Sequence, residues 1–161
     1  MTDSAKWLAA QGIADPTRLA IVGWSYGGYA ALQSAVTEPS LFKAVVAIAP
    51  VTDLNMLKTD YRNFTIHELV EREVGSGPHL IEGSPLKHAS QIAMPILLVH
   101  GTLDTNVKFA HSQKMDSALK SAGKQSELLT FEGLDHQLDD SDARAQMLAK
   151  IGQLLERTIG R

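Results

Sequence analysis

Short apolar runs alternate along the chain with longer segments in which apolar residues recur at helical spacing. Four runs, apolar over most or all of their length, cover residues 19–22, 42–49, 95–99 and 127–131. Runs of this length are typical of strands that are covered on both faces. The pattern therefore predicts four buried strands.

The segments around these strands carry helix signals. Residues 3–12 form an amphipathic stretch, residues 27–36 are rich in small side chains, and residues 107–122 end at a glycine. A last helix is predicted to begin near Ser141, where acidic residues lie at its positive end. Residues 51–94 are polar and irregular, which predicts short helices and loops.

Strands that alternate with helices predict an α/β fold, a parallel sheet with helices on both faces. In such sheets, ligands bind at the carboxyl ends of the strands. We therefore expect functional side chains in the loops that directly follow the four strands.

The first of these loops contains a nucleophile motif. Gly23-Trp24-Ser25-Tyr26-Gly27 matches G-x-S-x-G and lies between an apolar run and a helix rich in small residues. In this motif a strained strand-to-helix turn exposes the serine, and the two glycines avoid backbone collisions. The Tyr26 N–H is predicted to be the first donor to an oxyanion. A glycine-rich turn that merely caps a helix is the alternative.

A serine hydroxyl needs a base, and six histidines are available. His136 follows the fourth strand and is predicted to be that base. His100 ends the third strand and is expected to brace the loop there. The remaining histidines lie in the irregular segment or within a helix and are expected to be structural or at the surface: His67, His79, His88 and His111.

The acid that orients the base should also leave a strand end, and in α/β-hydrolases the order is serine, acid, histidine. Asp104, after the third strand, meets both conditions. Asp53, after the second strand, is the rival, and Asp135 is a weaker candidate because it is adjacent to His136. The alternative for Asp104 is a helix cap.

Composition limits the remaining possibilities. The 161 residues carry a net charge of −3 with no basic cluster, so no nucleic acid and no membrane is expected as a partner. No apolar run approaches the roughly 20 residues of a membrane span. A cytoplasmic protein is therefore the default interpretation.

Neither a metal nor a cofactor is predicted. There are no cysteines, and residues 67–71 begin like the H-E-x-x-H zinc motif but lack its second histidine. The sequence also contains no glycine loop that would bind a phosphate.

At the residues discussed above, the chain resembles the catalytic domain of the prolyl oligopeptidase family of serine peptidases, which includes dipeptidyl and acylaminoacyl peptidases. The resemblance covers nearly the whole chain. In that family the residues that match Ser25, Asp104 and His136 form the catalytic triad. The matching motifs are residues 23–29, 49–53, 84–86 and 100–104, with Asn106, Val107 and His136.

The resemblance implies a partial α/β-hydrolase fold in which residues 1–161 form a single catalytic domain. The family's β-propeller and the upstream strands of its sheet have no counterpart in this sequence. In the family, a loop or tyrosine from the upstream part completes the oxyanion hole. Either this is a fragment of a larger protein or it is a naturally minimal hydrolase.

The expected function is hydrolysis of a small peptide or an ester through an acyl-enzyme on Ser25. The alternatives are a small carboxylesterase and a catalytically weak fragment that acts as an assembly module. Trp24, Tyr61 and Val107 are candidates for an apolar substrate pocket, although each is equally plausible as core.

A homodimer or higher oligomer is also expected. In the fold that the chain resembles, the strand at residues 19–22 has a further neighbour, and without it the strand edge is unpaired. A two-fold contact between two such edges would bury both. Shielding of the edge by residues 3–12 is the alternative.

Overall fold

A four-stranded parallel sheet forms the centre of the computed structural model, which describes residues 1–160. Its strands lie in the order of the sequence, and all three neighbouring pairs are parallel. The prediction of four parallel strands is confirmed. They are β1 (Ala20–Trp24), β2 (Ala44–Ile48), β3 (Ile96–Gly101) and β4 (Ser126–Phe131).

Helices connect the strands and extend beyond them. The segment 51–94, predicted to contain short helices and loops, holds three short helices and a 3₁₀ segment at Pro85–Gln91. The helices are α1 (Thr2–Ala10), α2 (Tyr26–Thr37), α3 (Leu54–Asp60), α4 (His67–Val74), α5 (His79–Glu82), α6 (Ala110–Ser121) and α7 (Ser141–Ile159).

The sixth helix begins later than its pattern predicted. Residues 107–109 are not helical, and α6 starts at Ala110. In the preceding loop, the Asp104 carboxylate accepts the backbone N–H of Val107 at 2.9 Å. This bond and the one from the Asn106 N–H close a turn over residues 104–107, which ends before α6 begins.

Successive residues of the central strands point to opposite faces of the sheet. Val45 and Leu98 belong to a first core cluster that also contains buried residues of α2 and α6. Val46 and Val99 belong to a second cluster with buried residues of α7. Helices therefore cover both faces, as predicted. Every residue of the two central strands is buried, and apart from His100 and Gly101 at the end of β3 these residues are apolar.

Strand β1 lies at one edge of the sheet. Within it, Val22 is 46% exposed. Helix α1 has no buried residue, packs on the first cluster through Ala5, and pairs Lys6 with Glu38 at the end of α2. The homodimer stays a prediction.

None of the helices described is long and apolar enough to cross a membrane.

Leu98 offers a test of this core. Its side chain is fully buried in the first cluster, so Leu98→Ala should leave a cavity and lower the free energy of unfolding by about 2–5 kcal/mol. Leu148→Ala on α7 is the matched control, because Leu148 is 62% exposed, and its effect should stay within about 0.5 kcal/mol. Urea denaturation of both variants measures the difference, and equal losses would contradict the assigned core.

Candidate active site

Ser25 occupies a strained turn between β1 and α2. Its φ of 57° and ψ of −118° lie in a region that residues other than glycine rarely adopt. Neighbouring backbone holds it there, because its N–H donates to the Ile48 carbonyl at 2.7 Å and its carbonyl accepts the Tyr29 N–H at 3.0 Å. The turn predicted from the motif is therefore present.

The glycines around Ser25 differ in what they avoid. A Cβ at Gly23 would lie 2.0 Å from the carbonyl oxygen of Gly27, so any side chain there would break the turn. A Cβ at Gly27 would meet nothing within 4 Å, so the expected collision at this position is wrong. Gly28 is the second crowded position, because a Cβ there would lie 3.0 Å from the carbonyl oxygen of Ile48.

The loop after β4 brings His136 to the end of β3. The Leu103 N–H donates to the Leu134 carbonyl at 2.9 Å, and the Thr102 N–H donates to the Phe131 carbonyl at 3.0 Å. A Cβ at Gly101 would lie only 2.3 Å from the Leu134 oxygen. Only glycine permits this approach, which sets the histidine loop directly against the loop that carries Asp104.

His136 and Asp104 are in direct contact. His136 Nδ1 lies 2.7 Å from Asp104 Oδ2, and the carboxylate is fully buried. Burial alone would raise the pKa of Asp104, but hydrogen bonds from His100, His136 and the Val107 N–H outweigh it and hold that pKa below its ordinary value. Asp104 is therefore an acceptor at neutral pH, His136 donates from Nδ1, and the lone pair of its ring is on Nε2.

Both rival acids have other partners. Asp53 caps α3 by accepting the Met56 N–H at 3.0 Å, and it pairs with Lys87 at 2.9 Å. Asp135 accepts the N–H of Gln137 at 2.9 Å in a local turn. Of the three candidates, Asp104 is the one that contacts His136.

Trp24 links the serine turn to the histidine loop. Its indole N–H donates to the backbone carbonyl of His136 at 3.1 Å, across 112 positions of sequence. The ring also packs against the second cluster. Trp24 thus contacts both the second cluster and the histidine loop, and its bond holds the backbone of His136 beside the residue that precedes Ser25.

An open cavity of about 400 Å³ adjoins Ser25, and its wall includes Tyr61 and Val107, two of the predicted substrate contacts. The Tyr61 hydroxyl donates to the Asn106 carbonyl at 2.8 Å, which ties α3 to the loop after β3. Apart from Glu73, the lining is apolar, aromatic or uncharged. It consists of Ser25, Tyr26, Val51, Leu57, Tyr61, Ile66, Leu69, Val70, Glu73, Val74, Asn106 and Val107.

Three of the other histidines, His79, His88 and His111, take structural positions. His79 and His88 contact backbone carbonyls within the irregular segment. His111 accepts the Thr52 N–H on Nδ1 at 3.0 Å, and burial lowers its pKa to about 4, so it is neutral at physiological pH.

Glu71, in the zinc-like motif, pairs with Lys58. Among residues 1–160, no three potential ligands come together to hold a metal ion.

Comparison with known proteins identifies the family. The model of the prolyl oligopeptidase family matches residues 1–161. The dipeptidyl aminopeptidase BIII of Pseudoxanthomonas mexicana is 31% identical over 129 residues, which are 75% of this chain and 19% of that protein. The uncharacterized peptidase YuxL of Bacillus subtilis is 27% identical over 149 residues, which are 87% of this chain and 22% of that protein.

Solved structures agree with the fold. A puromycin-hydrolyzing peptidase of Mycobacterium tuberculosis superimposes with a TM-score of 0.86 and 32% identity, over 98% of this chain and 24% of that one. The chain thus spans about a fifth of the length of the curated relatives it matches. Because the family model matches residues 1–161, this chain belongs to the prolyl oligopeptidase family of peptidases.

Proposed function

We propose that this chain hydrolyses peptide or ester bonds through an acyl-enzyme on Ser25, with His136 as the base and Asp104 as the acid that orients it. The observation that carries the proposal is the 2.7 Å contact between His136 Nδ1 and a fully buried carboxylate. The Trp24 bond to the His136 carbonyl supports it further, because it joins the same loop to the serine turn.

The first half of the reaction forms the acyl-enzyme. Ser25 Oγ attacks the carbonyl carbon of the substrate while His136 Nε2 takes the hydroxyl proton. The imidazolium that results is stabilised by Asp104, whose lowered pKa keeps it anionic. Collapse of the tetrahedral intermediate breaks the bond to the leaving group, which receives its proton from His136.

The second half returns the enzyme to its starting state. Water attacks the acyl carbon and gives a proton to His136, and the bond to Ser25 Oγ then breaks as the serine regains its hydrogen. Both tetrahedral intermediates carry an oxyanion. The Tyr26 N–H lies in the first turn of α2, where backbone amides have no partner within the helix, and we assign it as one donor to that oxygen.

The cavity beside Ser25 is suited to the acyl side of the substrate. Val51, Tyr61 and Val107 give it an apolar and aromatic wall, and its volume of about 400 Å³ is in the range of small-molecule sites. Substrates with an apolar or aromatic side chain next to the scissile carbonyl are therefore proposed.

Removal of the nucleophile gives the most direct test. Ser25→Ala should abolish covalent labelling by a fluorophosphonate and lower turnover by roughly 10⁴-fold or more, because the acyl-enzyme cannot form. Intact-mass measurement after labelling detects the adduct. Ser90→Ala, at an exposed serine, is the control and should label like the parent chain. Undiminished labelling of Ser25→Ala would refute the assignment.

The acid assignment predicts unequal effects of two matched substitutions. Asp104→Asn should lower kcat by up to about 10⁴-fold, because an amide no longer anchors the correct tautomer of the base. Asp53→Asn should change stability more than kcat, since Asp53 caps α3 and pairs with Lys87. Steady-state kinetics on one ester substrate compares them. If the effects are reversed, the acid lies after the second strand.

The pH dependence of stability follows from the same carboxylate. The pKa of Asp104 is lowered in the folded state, so its stabilising contribution is present above the unfolded value of about 3.9 and is lost as pH falls through the folded value. Denaturation at pH 7 and in acid should therefore show a smaller pH dependence in Asp104→Asn than in the parent chain. An unchanged dependence would mean that the pKa of Asp104 is the same in the folded and the unfolded chain, which would contradict the lowered value.

Peptidase and esterase activity can be separated with paired substrates. Esters have better leaving groups than amides and need less oxyanion stabilisation, so a nitrophenyl ester should be cleaved faster than aminoacyl or prolyl anilides with the same acyl group. The ratio of their kcat/KM values measures the difference. Equal or faster anilide cleavage would identify the chain as a competent peptidase.

A further inference from the structure

A second histidine contacts the carboxylate of Asp104. His100 Nε2 lies 3.1 Å from Asp104 Oδ2, the same oxygen that His136 contacts, and 2.9 Å from the carbonyl oxygen of Val107. On the other side of the ring, His100 Nδ1 lies 2.7 Å from Ser112 Oγ on α6. His100 and Ser112 are fully buried, so water does not substitute for these contacts.

These contacts fix the tautomer of His100. Its Nε2 faces two acceptors, a carboxylate oxygen and a backbone carbonyl, and a lone pair at that position would be repelled by both. The hydrogen of the neutral ring is therefore on Nε2, which leaves Nδ1 to accept the hydroxyl hydrogen of Ser112. The ring of Phe109 meets His100 edge to face, with centroids 5.7 Å apart, and limits its rotation.

The carboxylate of Asp104 then has a complete set of donors. Its Oδ1 accepts the N–H groups of Asn106 and Val107, each at 2.9 Å. Its Oδ2 accepts from His136 and from His100, whose single Nε2 hydrogen is shared with the Val107 carbonyl in a bifurcated bond. Two backbone bonds hold one oxygen, and the two rings hold the other. Without His100, the donor to Oδ2 would be His136 alone.

We infer that His100, whose ring is oriented by its hydrogen bond with Ser112, is a positioning residue. It holds Asp104 Oδ2 in the orientation that His136 requires. This inference rests on the function proposed above. His100 acts through Asp104 and does not itself contact the reacting atoms. Because it also bonds to the carbonyl of Val107, it fixes the acid and one wall of the cavity as a unit.

The test compares two replacements of His100. Leucine fills the space without a donor, whereas the side-chain amide of glutamine can present an N–H close to the position of Nε2. His100→Leu should lower kcat roughly 10- to 100-fold, the scale of a small misplacement of a catalytic group, with little change in KM. His100→Gln should recover most of the loss. His79→Leu, at an exposed histidine, is the matched control and should retain the activity of the parent chain.

Proton NMR provides a readout that does not depend on turnover. The Nδ1 hydrogen of His136, bonded to a carboxylate, should give a low-field signal in the parent chain and in His100→Gln. In His100→Leu that signal should shift or broaden through exchange. Ser112→Ala should produce a smaller change in the same direction, and it provides the test if His100→Leu does not fold.

The possible outcomes separate this inference from the proposed function. A folded His100→Leu with unchanged kcat and an unchanged low-field signal would overturn it. So would a His100→Gln variant as impaired as His100→Leu, since packing rather than the donor would then matter. Failure of Ser25 to label would refute the proposed function, whereas the NMR comparison would still test whether His100 positions the Asp104–His136 pair.

Discussion

The site depends on one ionised carboxylate that is buried away from water. A buried charge is costly unless donors surround it, and the Asp104 carboxylate accepts four hydrogen bonds, two from backbone N–H groups and two from histidine rings. These donors come from β3, from the loop after it and from the loop after β4. The buried charge is tolerated only when these loops bring the four donors together. In that arrangement, His136 contacts the Asp104 carboxylate.

Backbone contacts, rather than side chains, bring these loops close enough. Gly101 lets the carbonyl of Leu134 approach to a distance that any Cβ would block, and Gly23 does the same for the turn around Ser25. Strain at Ser25 is held by bonds to β2 and α2, which are anchored in the two core clusters. The stability of the sheet thus maintains a local conformation that would be unfavourable in isolation.

The sheet and the irregular segment contribute different parts of the site. Strand ends supply the polar groups, since Ser25, Asp104 and His136 all lie in loops that follow strands. The segment 51–94 supplies most of the apolar wall of the cavity through α3 and α4. The Tyr61 bond to Asn106 connects the two parts, so a displacement of the cavity wall would also displace the loop that carries the acid. The polar side chains of the candidate site and the apolar wall of the cavity are therefore connected through this bond.

The sequence by itself determined the four strands, the helices on both faces, the turn at Ser25, and the choice of Asp104 and His136 as neighbours. Those features follow from local patterns and from chain order, because strand ends of a parallel sheet meet at one edge. Only the tertiary structure decided that Trp24 bonds to the His136 loop, that Gly28 rather than Gly27 is crowded, and that His100 shares an oxygen of Asp104 with His136. Such contacts depend on side-chain directions and on distances between segments far apart in the chain, and no local pattern of residues encodes either.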